Sequence, residues 1–264
     1  LKKLRFDDPN VQPNYADITI QRLYLLRYGY AYFSEYYYLY RNLFEKNRGK
    51  NIKILSIGAG CAIDYYAAYY ANLDNKVNLE YCGIDIINWV DRENIGDYQF
   101  IIEDVAKIDL SQFSRTNILI FPKSLFEFPE DVANNFFQAI QQNSFLTDSS
   151  LIISSQRPYF FNNDSNRFNT LVQSFDKLGY VKESGNVIRA PSGYTSCYHI
   201  VQFSCPDFIR PLLESLADRC KNIELCPNGY GRGICDSRDQ LNRGPMFSPN
   251  LMNIEYALVK KVIK

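Results

Sequence analysis

Apolar side chains between Ile18 and Phe44 recur at Leu23, Leu26, Tyr30, Phe33, Tyr37, Tyr40 and Phe44. Steps of three and four residues place them on one face, so the pattern predicts an amphipathic helix, with Asp17 positioned to cap its start. Gly29 inside the pattern argues against a single unbroken helix. The loop "EKNRGKN" follows, and from Asn51 the period changes. Short β-rich runs now alternate with helical patterns. "IKILSI" (52–57) precedes a helix from about Ile63, and "LEYCGIDI" (79–86) precedes a short helix candidate, "NWVDREN" (88–94). "YQFIIED" (98–104) and "NILIFP" (117–122) read as strands, "EDVANNFFQAIQQ" (130–142) as a helix, "SLIISSQ" (150–156) as a strand and "SNRFNTLVQSFDKLG" (165–179) as a helix ending at Gly179. Strands that alternate with helices pair in parallel through right-handed crossovers, which predicts an α/β, doubly wound, mostly parallel sheet.

Past Tyr180 the rhythm changes again. "VKESGNVIRA" and "CYHIVQFS" resemble strands, "DFIRPLLESLADRC" a helix, and "MNIEYALVKKVI" (252–263) a closing strand after a Gly/Pro-rich stretch. The organisation expected is an N-terminal helical cap over 1–50, a Rossmann-like domain over 51–205 and a C-terminal extension over 206–264.

The glycines of "IGAG" fall where the first of these strands ends. In open parallel sheets ligands collect beyond the carboxyl ends of the strands, and bare backbone there, backed by a helix amino end, lets an anionic nucleoside ligand approach closely. A dinucleotide fingerprint would need a third glycine at position 63, which is Ile, so an NAD-linked reductase is disfavoured. Asp85 ends the second strand, where a carboxylate accepts both hydroxyl protons of a ribose. Glu103 and Asp104 end the third, where a carboxylate meets an adenine amino group.

In that order, "ILSIGAGCAIDYYA", "EYCGIDI" and "FIIEDVAKID" resemble the class I S-adenosylmethionine-dependent methyltransferases, over about residues 51–160 and as far as 205. The resemblance implies a seven-stranded sheet whose last strand is antiparallel, with S-adenosyl-L-methionine as cofactor. It implies a cofactor-binding set of Gly58, Ala59, Gly60, Asp85, Ile86, Asp104 and Val105. Ala62 departs from the pattern, since many members carry another glycine there. Amino-terminal helices in this family frequently cover the donor, which would bring Tyr28, Tyr32 and Tyr36–Tyr38 to the acceptor entrance.

The acceptor is not legible. Methyl transfer from a sulfonium needs little acid–base help when the acceptor is already nucleophilic, so the lack of a triad does not weigh against catalysis. The loop "FPKSLFEFPE" lacks the Asn/Asp-Pro-Pro-aromatic signature of the branch acting on adenine or glutamine amino groups, and it offers Lys123, Ser124 and Glu127 as catalytic candidates. A cofactor-binding module without turnover, and transfer of the aminocarboxypropyl group, are the alternative readings.

Composition narrows the partners. Formal net charge is zero, with 29 basic and 29 acidic residues, so a nucleic-acid acceptor stays open but is not favoured. The chain's two ends carry the basic excess, which would favour an anionic acceptor if they lay near the entrance. No apolar run approaches a membrane span and no signal-peptide pattern is present, which points to the cytoplasm, although the first residue is not Met. Seven cysteines then read as free thiols. Cys220, Cys226 and Cys235 are weak zinc candidates, because no tight pair occurs among them. His199, the only histidine, reads as structural.

Overall fold

The structure, a computed structural model, describes residues 13–92, 95–156, 161–189 and 253–262. Helix α1 (Ile18–Glu45) opens at Asp17, whose Oδ1 accepts the Thr19 N–H at 2.7 Å. It runs unbroken through Gly29, the residue that weakened the helical pattern. Tertiary burial overrides the local weakness of glycine: Tyr36, Tyr40 and Phe44 are at most 1% exposed, each contributing about 2 kcal/mol of apolar burial.

The chain then alternates β1 (Asn51–Ile57), α2 (Ile63–Asn75), β2 (Asn78–Asp85), β3 (Gln99–Ile102), β4 (Thr116–Pro122), α3 (Glu130–Ile140), β5 (Leu146–Gln156), α4 (Phe161–Ser174), β6 (Tyr180–Arg189) and β7 (Asn253–Lys261). The seven strands form one sheet in the order β3-β2-β1-β4-β5-β7-β6. Pairing is parallel from β3 to β5, and β7 runs antiparallel to both β5 and β6. This is the α/β sheet, with one antiparallel strand, that the sequence implied.

Alternation along the strands divides the core. Ile52 and Ile54 of β1 pack with α1 and α2 on one face, while Leu55 and Ile57 pack with α3 and α4 on the other. The helix expected at 88–94 is not formed over its described part, 88–92. Buried Gln21 of α1 holds this segment by its backbone, accepting the Val90 N–H at 3.0 Å and donating to the Asn88 carbonyl, a group such a helix would use, at 3.2 Å. Trp89 is thereby turned inward, 5% exposed.

The cysteine cluster 220–235, His199, and the strand and helix expected at 197–204 and 207–220 lie outside the described residues. Among the described residues no helix is long and apolar enough to cross a membrane, and no group of three His, Cys, Asp or Glu is placed to hold a metal.

Candidate active site

The strand order reverses between β1 and β4, since β2 and β3 extend to one side and β5 to the other. At that switch point the loops leaving the two strands separate and a crevice opens. A cavity of about 410 Å³ lies there. Its walls include the turn after β1, the ends of β2 and β3, the loop after β4, and Tyr24, Tyr32 and Tyr36 of α1.

The turn is built from left-handed backbone, with φ of 67° at Gly58, 58° at Gly60 and 61° at Ala62. The two glycines are required for different reasons. A Cβ on Gly58 would stand 2.3 Å from the Ser124 Cβ, so this position is closed by the β4 loop. A Cβ on Gly60 would meet only the Trp89 ring, at 3.7 Å. Gly60→Ala is expected to cost about 1–2 kcal/mol from backbone strain alone, and Gly58→Ala roughly 3 kcal/mol because a neighbour must also move. Urea denaturation followed by the single tryptophan measures both, and equal costs would contradict the closed contact at Gly58.

Asp85 is tied to the turn. Its Oδ2 accepts the Gly60 N–H and its Oδ1 the Ile87 N–H, each at 2.8 Å. Burial raises its pKa, against the lowering effect of those two N–H groups, of the Trp89 indole and of Arg92. Each oxygen keeps one lone pair for a further donor. Trp89 Nε1 is buried and completes no hydrogen bond, despite its proximity to Asp85.

One strand further, Asp104 Oδ1 accepts the Ala106 N–H at 3.0 Å, and its Oδ2 lies 3.6 Å from Lys107 Nζ. Ile86 is 65% exposed and Val105 buried, and both line the cavity, as do Ala59 and Glu103. Gly58, Ala59, Gly60, Asp85, Ile86, Asp104 and Val105 are thus brought to one cavity.

Lys123, Ser124 and Glu127 reach it too, in unlike states. Lys123 is 5% exposed, its Nζ 3.0 Å from Glu35 Oε2 and 3.0 Å from the Gln156 carbonyl oxygen that it donates to. Its ammonium also sits 5.3 Å from the centre of the Tyr32 ring. Glu35 Oε1 accepts the Ser155 hydroxyl, so α1 is fastened to the ends of β4 and β5 by a buried ion pair. Ser124 Oγ donates to the Ile57 carbonyl. Glu127 is exposed at the cavity wall. Of the tyrosines expected at the entrance, Tyr32 and Tyr36 line the cavity, whereas Tyr28, Tyr37 and Tyr38 do not.

The lining residues not singled out from sequence include Tyr15, Tyr24, Asp64 and Trp89. A signal existed for Asp64, an acid in the first turn of α2, where the helix dipole favours negative charge. Asp64 is buried and accepts the Tyr81 hydroxyl at 2.9 and 3.0 Å. Burial pushes its pKa up to about 6, against the lowering effect of hydrogen bonds such as that from Tyr81. The unfolded chain releases this proton near pH 4 and the native state holds it to about pH 6. Stability contributed by Asp64 is therefore complete below pH 4 and falls by up to about 3 kcal/mol as pH rises past 6. Urea denaturation from pH 4 to 8 is expected to show wild type losing ground to Asp64→Asn across that window. A constant difference between the two would contradict it.

No protein-family model matches the sequence, and no curated protein shows a significant match. Solved structures do match. The plantazolicin methyltransferase BpumL in complex with SAH is 15% identical, over 97% of this chain and 92% of that one, with a TM-score of 0.47. Phosphoethanolamine N-methyltransferase 2 of Haemonchus contortus, with phosphomonomethylethanolamine and S-adenosylhomocysteine, is 13% identical over 96% of this chain and 61% of that one, at 0.46. A TehB-like SAM-dependent methyltransferase of Corynebacterium glutamicum is 10% identical, over 85% and 88%, at 0.43.

Proposed function

We propose that this chain is an S-adenosylmethionine-dependent methyltransferase. The observation that carries this reading is Asp85, a carboxylate with a spare lone pair on each oxygen, held by Gly60 and Ile87 one strand away from a glycine turn that lines the same cavity. The residues fit an adenosyl sulfonium ligand. Asp85 would accept the ribose hydroxyls, and Asp104 the adenine amino group. Ile86 and Val105 offer apolar surface to the flat base. Trp89 supplies a buried indole N–H with no partner, a donor that a ligand oxygen would satisfy.

Bound in this way, the ligand supplies an electrophilic methyl group on a positively charged sulfur. The chain's own contribution is alignment and exclusion of water. The Lys123–Glu35 pair fixes α1, so that Tyr32 and Tyr36 stand over the cavity at a defined height, and the acceptor is held against the methyl by position more than by proton transfer.

The test is native mass spectrometry of the purified chain with S-adenosylmethionine, S-adenosylhomocysteine and NADH. Complexes with the first two and none with NADH are expected. Retention of NADH alone would refute the reading.

A further inference from the structure

We propose that Gln21, which does not line the cavity, is a positioning residue for donor binding: it holds Tyr15 and Trp89 together as one wall of the nucleoside site. The proposal rests on the methyltransferase reading above. Two stretches of irregular backbone meet at this wall, 13–17 before α1 and 86–92 after β2. Pro13, Asn14 and Tyr15 line the cavity from the first, and Ile86, Ile87 and Trp89 from the second. Neither stretch belongs to a helix or a strand, so no regular ladder of hydrogen bonds fixes its place.

Gln21 supplies the cross-link. It is 1% exposed, and its Nε2 donates to the Tyr15 carbonyl at 2.8 Å and to the Asn88 carbonyl at 3.2 Å. Its Oε1 accepts the Val90 N–H at 3.0 Å. One carboxamide thus spends two N–H donors and one acceptor on the two stretches, a combination that only an amide side chain offers without charge. Arg22 makes a second link from α1 to the same loop, with Nε 2.9 Å from Asp91 Oδ2. That pair is exposed to water and contributes little, whereas the bonds of Gln21 are shielded.

The rings beside it follow from this tie. The centres of Tyr15 and Trp89 are 5.4 Å apart, those of Tyr24 and Trp89 5.5 Å, and those of Tyr15 and Tyr24 5.6 Å. Three rings from three segments therefore close on one another, and all three line the cavity. Trp89 also lies against the glycine turn, since its ring is what a Cβ on Gly60 would meet, at 3.7 Å. Gly60 in turn donates its N–H to Asp85. The carboxylate that would take the ribose, the turn and the aromatic wall form one continuous surface, and Gln21 fixes it from behind.

A wall set in place before the ligand arrives spares the cost of ordering two large side chains on binding. Gln21 in this way raises affinity for the donor without touching it. The gain belongs to the bound state, so its loss should appear as faster release of the ligand more than as slower capture.

The test is surface plasmon resonance of S-adenosylhomocysteine on the immobilised full chain, with circular dichroism as the check on folding. Gln21→Met has similar length and good helix propensity, and it removes all three hydrogen bonds. It is expected to speed dissociation about tenfold, with the association rate within about twofold of wild type. Arg22→Met, which cuts only the exposed link to the same loop, is expected to leave both rates within about twofold. A merely structural loss reads differently, because a partly unfolded population lowers the binding capacity and leaves the dissociation rate alone. If Gln21→Met does not fold, Gln21→Glu takes its place, since it keeps the acceptor for Val90 and loses both donors, and the same faster release is expected. An unchanged dissociation rate in the folded variant, an equal rise in Arg22→Met, or failure of both Gln21 variants to fold would overturn the proposal and leave the methyltransferase reading standing. Absence of S-adenosylhomocysteine binding by wild type would strike the methyltransferase reading, and this proposal with it.

Discussion

Lys123→Met is expected to destabilise the protein by about 3–5 kcal/mol, lowering Tm by roughly 6–20 °C. The cause is the carboxylate left behind more than the lost attraction. Glu35 is 1% exposed, burial already raises its pKa, and the Lys123 ammonium is the largest influence opposing that rise. Without Lys123, Glu35 must either stay charged where it is buried or take up a proton. Protonation would relieve the variant at low pH, so its deficit should shrink as pH falls. Glu35→Gln combined with Lys123→Met should regain most of the loss, because neither partner then carries an uncompensated charge. Trp89, the only tryptophan and buried at the cavity wall, reports unfolding directly. A Lys123→Met variant within 1 kcal/mol of wild type would show that the pair does not fasten α1.

Asp85→Ala is expected to weaken S-adenosylmethionine binding by roughly 100-fold to 10,000-fold, the loss of two hydrogen bonds to a charged acceptor. Part of the loss would come through the turn, because Gly60 and Ile87 each donate an N–H to this carboxylate. Asp85→Asn separates the two contributions. The amide keeps one acceptor oxygen and the local shape, so affinity should fall by a smaller factor while the fold remains intact. Isothermal titration with each variant, checked by urea denaturation, makes the measurement. Unchanged affinity in a folded Asp85→Ala protein would remove the ribose assignment.

The parallel strands β1 to β4 were legible because each is a short apolar run, and the residues at its carboxyl end are where ligands gather. Gly58, Gly60, Asp85 and Asp104 could be singled out for that reason: each stands at the carboxyl end of its strand or within three residues of it. The placement of β7 between β5 and β6 has no local signal, and only the family resemblance implied an antiparallel last strand. The segment after Asp85 reads as helix by composition, and Gln21, far away in sequence, diverts it. The reason for glycine at 58 was likewise hidden, since Ser124 closes over it from another loop.

What the sequence conceals most fully is charge pairing. Lys123 looks like an available ammonium on a ligand-facing loop, and the structure commits it to Glu35 on α1. The acidic character of the cavity is assembled from α2, the ends of β2 and β3 and the β4 loop, each contributing one or two carboxylates that are unremarkable singly.

A crystal structure grown with S-adenosylhomocysteine tests the central claim most directly. The account predicts the nucleoside in the crevice between β1 and β4, its two sugar hydroxyls on Asp85 and its base between Ile86 and Val105. Density for the nucleoside at another place, or a crevice shut by Trp89 and Tyr32 against it, would contradict the account.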